Sequence, residues 1–224
     1  MTLQLGFNGF RLISPVSVED CDIVLSTADY YLGEAERVRD NCPKGQPIWP
    51  IVFALLSVNA PFGATCKAYE ALRDEDTNLL DFWSVLQVIR SSHAPDGVVS
   101  YPWTKSKWIQ TFVDSFRHDG VDFRPFVTDT DYRSYLQVNV KGLGLAKASF
   151  ATMLVNGSAD VACIDTHMYR LFEGKPAQTA VRAKTYLRLE ESVRTMAYRH
   201  GLPTSVAQHC LWDAMRGIRT RLLP

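Results

Sequence analysis

Lys141-Gly142-Leu143-Gly144-Leu145-Ala146-Lys147-Ala148-Ser149-Phe150 decides how this chain is read. Its two glycines, spaced i and i+2, lie between an apolar-periodic segment ending near Val138 and another starting near Leu145. Glycine tolerates positive φ and close backbone approach, so the pair predicts a tight turn between two helices. Such a turn leaves the first amides of the second helix without acceptors, and those amides suit an anion, a DNA phosphate among others. An ordinary αα-hairpin uses the same glycines for tightness alone. The next residues sharpen the pattern: a small-residue helix from Leu145 to Leu154, a loop at Asn156-Gly157-Ser158, then Cys163-Ile164-Asp165-Thr166-His167. Asp165 stands after an apolar pair and before the helical spacing of Met168, Tyr169, Leu171 and Phe172, the place of a helix N-cap.

Outward from this stretch the chain reads as all-α. A helix is expected from Ser17, whose hydroxyl with Asp20 three residues on resembles a capping box, to Arg39, with Gly33 as a possible break. Pro43, Pro47 and Pro50 exclude its extension. Two helices broken near Ala60-Pro61-Phe62-Gly63 are expected over 51–72, one over 79–90, and a polar loop at Pro95, Asp96 and Gly97. Further helices are expected from Thr104 to Gly120, from Asp129, over 179–200 and over 204–216, the last two closed by Gly201 and Gly217. Strand-like alternation is confined to a short piece within residues 2–14.

Composition excludes several classes. With 224 residues and 46% hydrophobic content, the chain buries one sizeable core or two small lobes. Twenty-four basic and twenty-four acidic residues give a net charge of zero, so any attraction to phosphate must be local. No apolar run approaches the roughly 20 residues that span a bilayer, and Met1 to Gly6 has no basic start to a leader, so a cytoplasmic protein is expected. Five scattered cysteines form no Cys-x-x-Cys pair, and five histidines fall at no ligand spacing; neither a metal nor another cofactor is expected.

The order Gly142-Leu143-Gly144, helix, loop, Ile164-Asp165-Thr166-His167-Met168-Tyr169-Arg170 resembles the helix-hairpin-helix DNA glycosylase superfamily, in which the hairpin is followed by Val-Asp-Thr-His-x-x-Arg. Phe53-Ala54-Leu55-Leu56-Ser57-Val58-Asn59 resembles that family's Leu-Leu-Ser-x-Gln helix end, and Tyr101 to Ile109 resembles its Tyr-x-x-Lys-Ala-x-x-Ile helix start. Gln208 to Trp212 resembles the helix that precedes the iron–sulfur loop in some members, but no cluster cysteines follow. The resemblance implies a single two-lobed domain over 1–224, a hairpin-containing lobe at 50–160, and an active-site cleft between the lobes.

It further implies that Asp165 is the catalytic carboxylate, that Asn59 enters the duplex where a base has left, and that double-stranded DNA with a modified or damaged base is the partner of a monomeric enzyme. Asp165 can serve as both cap and catalyst. Lys141, Gly142, Gly144, Lys105, Lys107 and Arg170 are the further DNA contacts, although Lys105 and Lys107 also read as plain solvated lysines. Phe62, Trp103 and Trp108 are expected around the base pocket unless they belong to the core, with His167 nearby as a local hydrogen-bond partner. One departure matters: the family's nucleophilic lysine falls two residues after the second hairpin glycine, where this chain has Ala146, and Lys147 comes one residue later. One residue turns a helical side chain by about 100°. Lys147 is therefore either the amine of a combined glycosylase and lyase or a residue with another task. Two rival functions stay open: a base-modifying transferase acting on hypermodified pyrimidines of viral DNA, and a non-catalytic hairpin module that only binds DNA.

Overall fold

A computed structural model describes residues 3–4, 11–12, 17–42, 47–74, 77–118, 127–175 and 181–224. Among them run eleven helices and two short antiparallel strand pairs. The chain divides into two compact units, one of residues 1–41 with 156–222 and one of residues 42–155 with 223–224.

The second unit is built on α3 (Ile48–Leu56), a helix without a polar side chain, in which every residue from Pro50 to Leu56 is buried. Pro50 lies in its first turn, where a missing N–H costs nothing, so this proline sits inside a helix and not beyond one. Each such aliphatic or aromatic side chain taken from water contributes about 1.5–3 kcal/mol. Against α3 pack α4 (Phe62–Asp74) and α6 (Pro102–His118), with α5 (Phe82–Ser91) behind them. The helix expected from Thr104 starts earlier, because Pro102 supplies a preset φ for the first turn; Gly120 falls outside the described residues. The unit closes with α7 (Asp129–Asn139) and α8 (Leu145–Asn156).

Where a polar loop was expected, β1 (His93–Ala94) and β2 (Gly97–Val98) form a two-stranded hairpin. Asp96 at its tip accepts a hydrogen bond of 2.8 Å from the Gly63 N–H and so caps α4 from 33 residues away. A Cβ on Gly63 would lie 2.7 Å from that carboxylate, so the glycine admits the cap.

In the first unit the pairing of residues 3–4 with 11–12 falls within the expected strand-like piece. The long N-terminal helix is broken, but not at Gly33. α1 (Val18–Leu25), capped by the Ser17 hydroxyl on the Asp20 N–H, stops where Ser26 and Thr27 turn their hydroxyls onto the carbonyls of Ile23 and Val24; Gly33 lies inside α2 (Asp29–Asn41). The unit continues with α9 (Thr166–Glu173), α10 (Ala183–Arg199) and α11 (Thr204–Arg216). α10 begins later than expected, and positions 179–180 lie outside the described residues.

Beyond α11 the chain is stitched back onto α2 and α11. Thr220 donates through both its N–H and its hydroxyl to Asp213, the Tyr31 hydroxyl donates to the same carboxylate, and the Leu222 N–H donates to Glu34. Burial pushes the Asp213 carboxyl up to about 6 and the His209 imidazole down to about 4. At neutral pH His209 is therefore uncharged, and its 3.7 Å approach to Asp213 is no ion pair. The two groups act in opposite senses. The stability tied to His209 is complete above its ordinary value of 6.5 and is lost as pH falls through about 4. That tied to Asp213 is complete below 3.8 and is lost as pH rises through about 6. His209→Gln removes one arm, so in urea unfolding the variant should gain about 3 kcal/mol on the wild type between pH 7 and pH 4.

Candidate active site

Asp165 lies in the first unit. The segment before it, Val161 to Ile164, is extended and buried, and α10 pins it: the Tyr186 hydroxyl donates to the Ala162 carbonyl at 2.6 Å, the Ala162 N–H donates to Glu190 at 2.9 Å, and the Ile164 N–H donates to the Tyr186 oxygen at 3.3 Å. This fixes where α9 can begin. Asp165 caps that helix, its Oδ1 accepting from the N–H groups of His167 at 2.9 Å and Met168 at 3.0 Å. Its other oxygen, Oδ2, accepts from the Trp212 indole N–H of α11 at 2.8 Å. The Arg216 guanidinium lies 4.2 Å over the Trp212 ring, and His167 meets that ring edge-on at 6.1 Å. Arg170 is exposed on the same helix.

Trp212 was met in the sequence only as part of a helix resemblance. Its signal was that a half-buried indole needs an acceptor for its N–H. The acceptor lies 47 residues away, and nothing local names it.

The glycine hairpin lies in the second unit. α7 ends with the Val140 N–H on the Leu136 carbonyl, and Leu143 turns back onto the Val140 carbonyl at 3.2 Å. Gly142 has φ +100°, and a Cβ there would come 2.5 Å from the Trp108 ring. Trp108 is thus the floor of the hairpin. Gly144 is different: its φ is not in the left-handed region, it is exposed, and no atom lies within 4 Å of where its Cβ would be. Neither conformation nor internal packing demands glycine there. The empty space adjoins the first-turn amides of Leu145, Ala146 and Lys147, which have no acceptor within the helix, and Lys141 is exposed beside it. Such a cradle fits a phosphate oxygen. Gly142→Ala should lower stability by about 2–4 kcal/mol, from positive φ and the ring contact together, whereas Gly144→Ala should leave it within about 0.5 kcal/mol by urea unfolding.

Lys147 turns its ammonium over the Phe150 ring at 5.3 Å. Phe150 meets Phe53 at 6.0 Å, and Phe53 meets Phe62 edge-on at 6.1 Å, so Lys147 and Phe62 stand at the two ends of one aromatic row. Trp103 belongs to another group of rings. Half-exposed, it forms a cluster with Phe82 and Trp83.

Lys105 overturns its expected role more fully. It is completely buried, and its ammonium donates to the Leu56 carbonyl at the end of α3 at 2.6 Å, so it is neither a solvated lysine nor a phosphate contact. Burial, with the charge of Lys147 added, pulls its pKa down to about 7. Lys107 on the same helix is exposed. The Lys105 bond ties the first turn of α6 to the end of α3. Just beyond those two ends lie Asn59 (φ +48°) and Tyr101 (φ +54°), the only non-glycine residues with positive φ among those described. Asn59 is exposed and Tyr101 is 64% exposed. Asparagine tolerates this backbone; tyrosine does so at about 1–2 kcal/mol. Sequence reading gave Tyr101 no task, since φ is invisible in it.

No group of three or more His, Cys, Asp or Glu side chains among the described residues is placed to hold a metal, and no described helix is long and apolar enough to cross a membrane.

Solved structures of similar fold are known. The 8-oxoguanine DNA glycosylase of Thermotoga maritima superposes with a TM-score of 0.69 at 18% identity, over 90% of this chain and 98% of that one. That of Methanocaldococcus jannaschii gives 0.71 at 17% identity, over 89% and 94%. The chain has the helix-hairpin-helix glycosylase fold. A third structure with this glycosylase fold, the M. jannaschii 8-oxoguanine glycosylase/lyase in complex with a 15mer DNA containing 8-oxoguanine, gives 0.68 at 20% identity, over 90% and 93%. No protein-family model matches the chain, and no curated protein is significantly similar to it in sequence.

Proposed function

We propose that this chain is a DNA glycosylase that cleaves the N-glycosidic bond of an extruded, modified base. The observation that carries the reading is the Asp165 carboxylate, held on both oxygens by N–H donors at the start of a helix and pinned there by a buried segment. Rupture of the glycosidic bond builds positive charge on the sugar, and a fixed carboxylate stabilises that charge as it develops without reorganising. The cradle at Gly144, with Lys141 beside it, holds a backbone phosphate; Lys107 and Arg170 add exposed positive charge. Asn59 enters the space left by the base, and exposed Tyr101 contacts the duplex from the linked helix start. Lys147 supplies the amine that turns base release into strand cleavage, and Phe62 supplies an aromatic face for the base.

Because the three structural neighbours are 8-oxoguanine glycosylases, a duplex with oxidised guanine is the first substrate to test. Uracil, alkylated purine and hydroxymethylated or glucosylated pyrimidines complete the panel, scored for free base, alkali-labile sites and direct nicking. Free base from one duplex, and little from undamaged DNA, is the expected result. A mass gain on intact DNA would instead identify a base-modifying transferase, and tight binding without any reaction a hairpin module. In the same system Gly144→Ala should weaken duplex binding about tenfold, because a methyl group occupies the place of a phosphate oxygen.

A further inference from the structure

Asp165 and Trp212 come from different helices of the same unit, α9 and α11, and a side-chain hydrogen bond from the indole to the carboxylate joins them. A carboxylate has about four lone-pair sites. On Asp165 two backbone amides and one indole occupy three of them, which leaves a single site for the reacting centre. The two amides fix Oδ1 only; without the indole the group is free to rotate about its last torsion, a broad, two-fold one for a carboxylate. Trp212 is itself held, with Arg216 over its face and His167 at its edge, so the donor is preset and not recruited. Preset donors that fix a charge before reaction are how a site avoids reorganisation during it.

We infer that Trp212 is a positioning residue for Asp165: its indole N–H fixes Oδ2, so that the open lone pair of the carboxylate has one direction. This inference rests on the reading of Asp165 as the carboxylate that acts on the sugar.

Two measurements test it. In a proton–nitrogen spectrum the chain's five indole N–H groups give five signals, and the Trp212 signal is identified by its loss in Trp212→Phe. Asp165→Ala should move that signal and speed its exchange with solvent, with the other four unchanged. A Trp212 signal that stays in place overturns the contact, and does so whatever the protein's activity. The second measurement is single-turnover base release. Trp212→Phe should lower its rate about 10- to 100-fold, with duplex affinity held within about twofold, the effect of one hydrogen bond to a charged group. In Asp165→Asn the same Trp212→Phe change should have no further effect, since Trp212 acts only through the carboxylate. A Trp212→Phe loss of equal size with and without Asp165 would make Trp212 a base-contacting or purely structural residue and overturn the inference. Failure of the wild type to release base from any duplex overturns the glycosylase reading instead, and leaves the indole signal to decide the contact.

Discussion

Asp165→Asn should slow base release about 10³-fold while the protein stays folded. The two consequences separate because Asp165 has two tasks. As a cap it needs only an oxygen facing the His167 and Met168 amides, and asparagine supplies one with nearly equal effect. As a stabiliser of developing positive charge it needs the full negative charge, which asparagine lacks. The amide adds one local conflict: with its oxygen on the backbone amides, its NH₂ faces the Trp212 N–H, donor against donor. That conflict costs about 1–2 kcal/mol, visible in urea unfolding. Asp165→Ala should cost about 1 kcal/mol more through loss of the cap. Base release at wild-type rate by a folded Asp165→Asn protein would remove Asp165 from the mechanism.

Lys147→Ala should abolish the covalent complex that borohydride traps on an abasic product, and strand nicking with it. An amine attacks only when unprotonated, and Lys147 is the lysine of the helix that follows the hairpin, its side-chain nitrogen 5.3 Å from the centre of the Phe150 ring. The side chain of Lys147 brings its nitrogen over Phe150, three residues on. Base release without any trapped complex in the wild type would leave Lys147 the task of holding phosphate.

The helices and their order were legible because apolar spacing, glycine and proline act locally. So was the turn at Gly142, where a left-handed φ calls for glycine. The contacts of Trp108 and Lys105 were not legible for a shared reason: residue type and helix position say which way a side chain leaves its own helix, not what waits there. Trp108 met a glycine 34 positions on, a difference of 142 and 108, and Lys105 met the end of an all-apolar helix whose terminal carbonyl lacked a partner. The break at Ser26 and Thr27 was not legible because hydroxyls become competitors for the carbonyls of Ile23 and Val24 only once the helix around them has formed. Asp165 itself was legible from its neighbours in sequence. The indole that completes its contacts was not, since only the fold brings α11 to α9.

Phe62 is the first residue of α4, and the cap of that helix is Asp96, on the tip of a surface turn. The start of the helix that carries this aromatic ring is therefore held from outside its own stretch of chain, by a hairpin 33 residues on. Changes in residues 93–98 reach Phe62 through a helix end, without altering any side chain in the aromatic row. Under the proposed role of Phe62, base preference would respond to changes in a turn that itself carries no residue of the aromatic row.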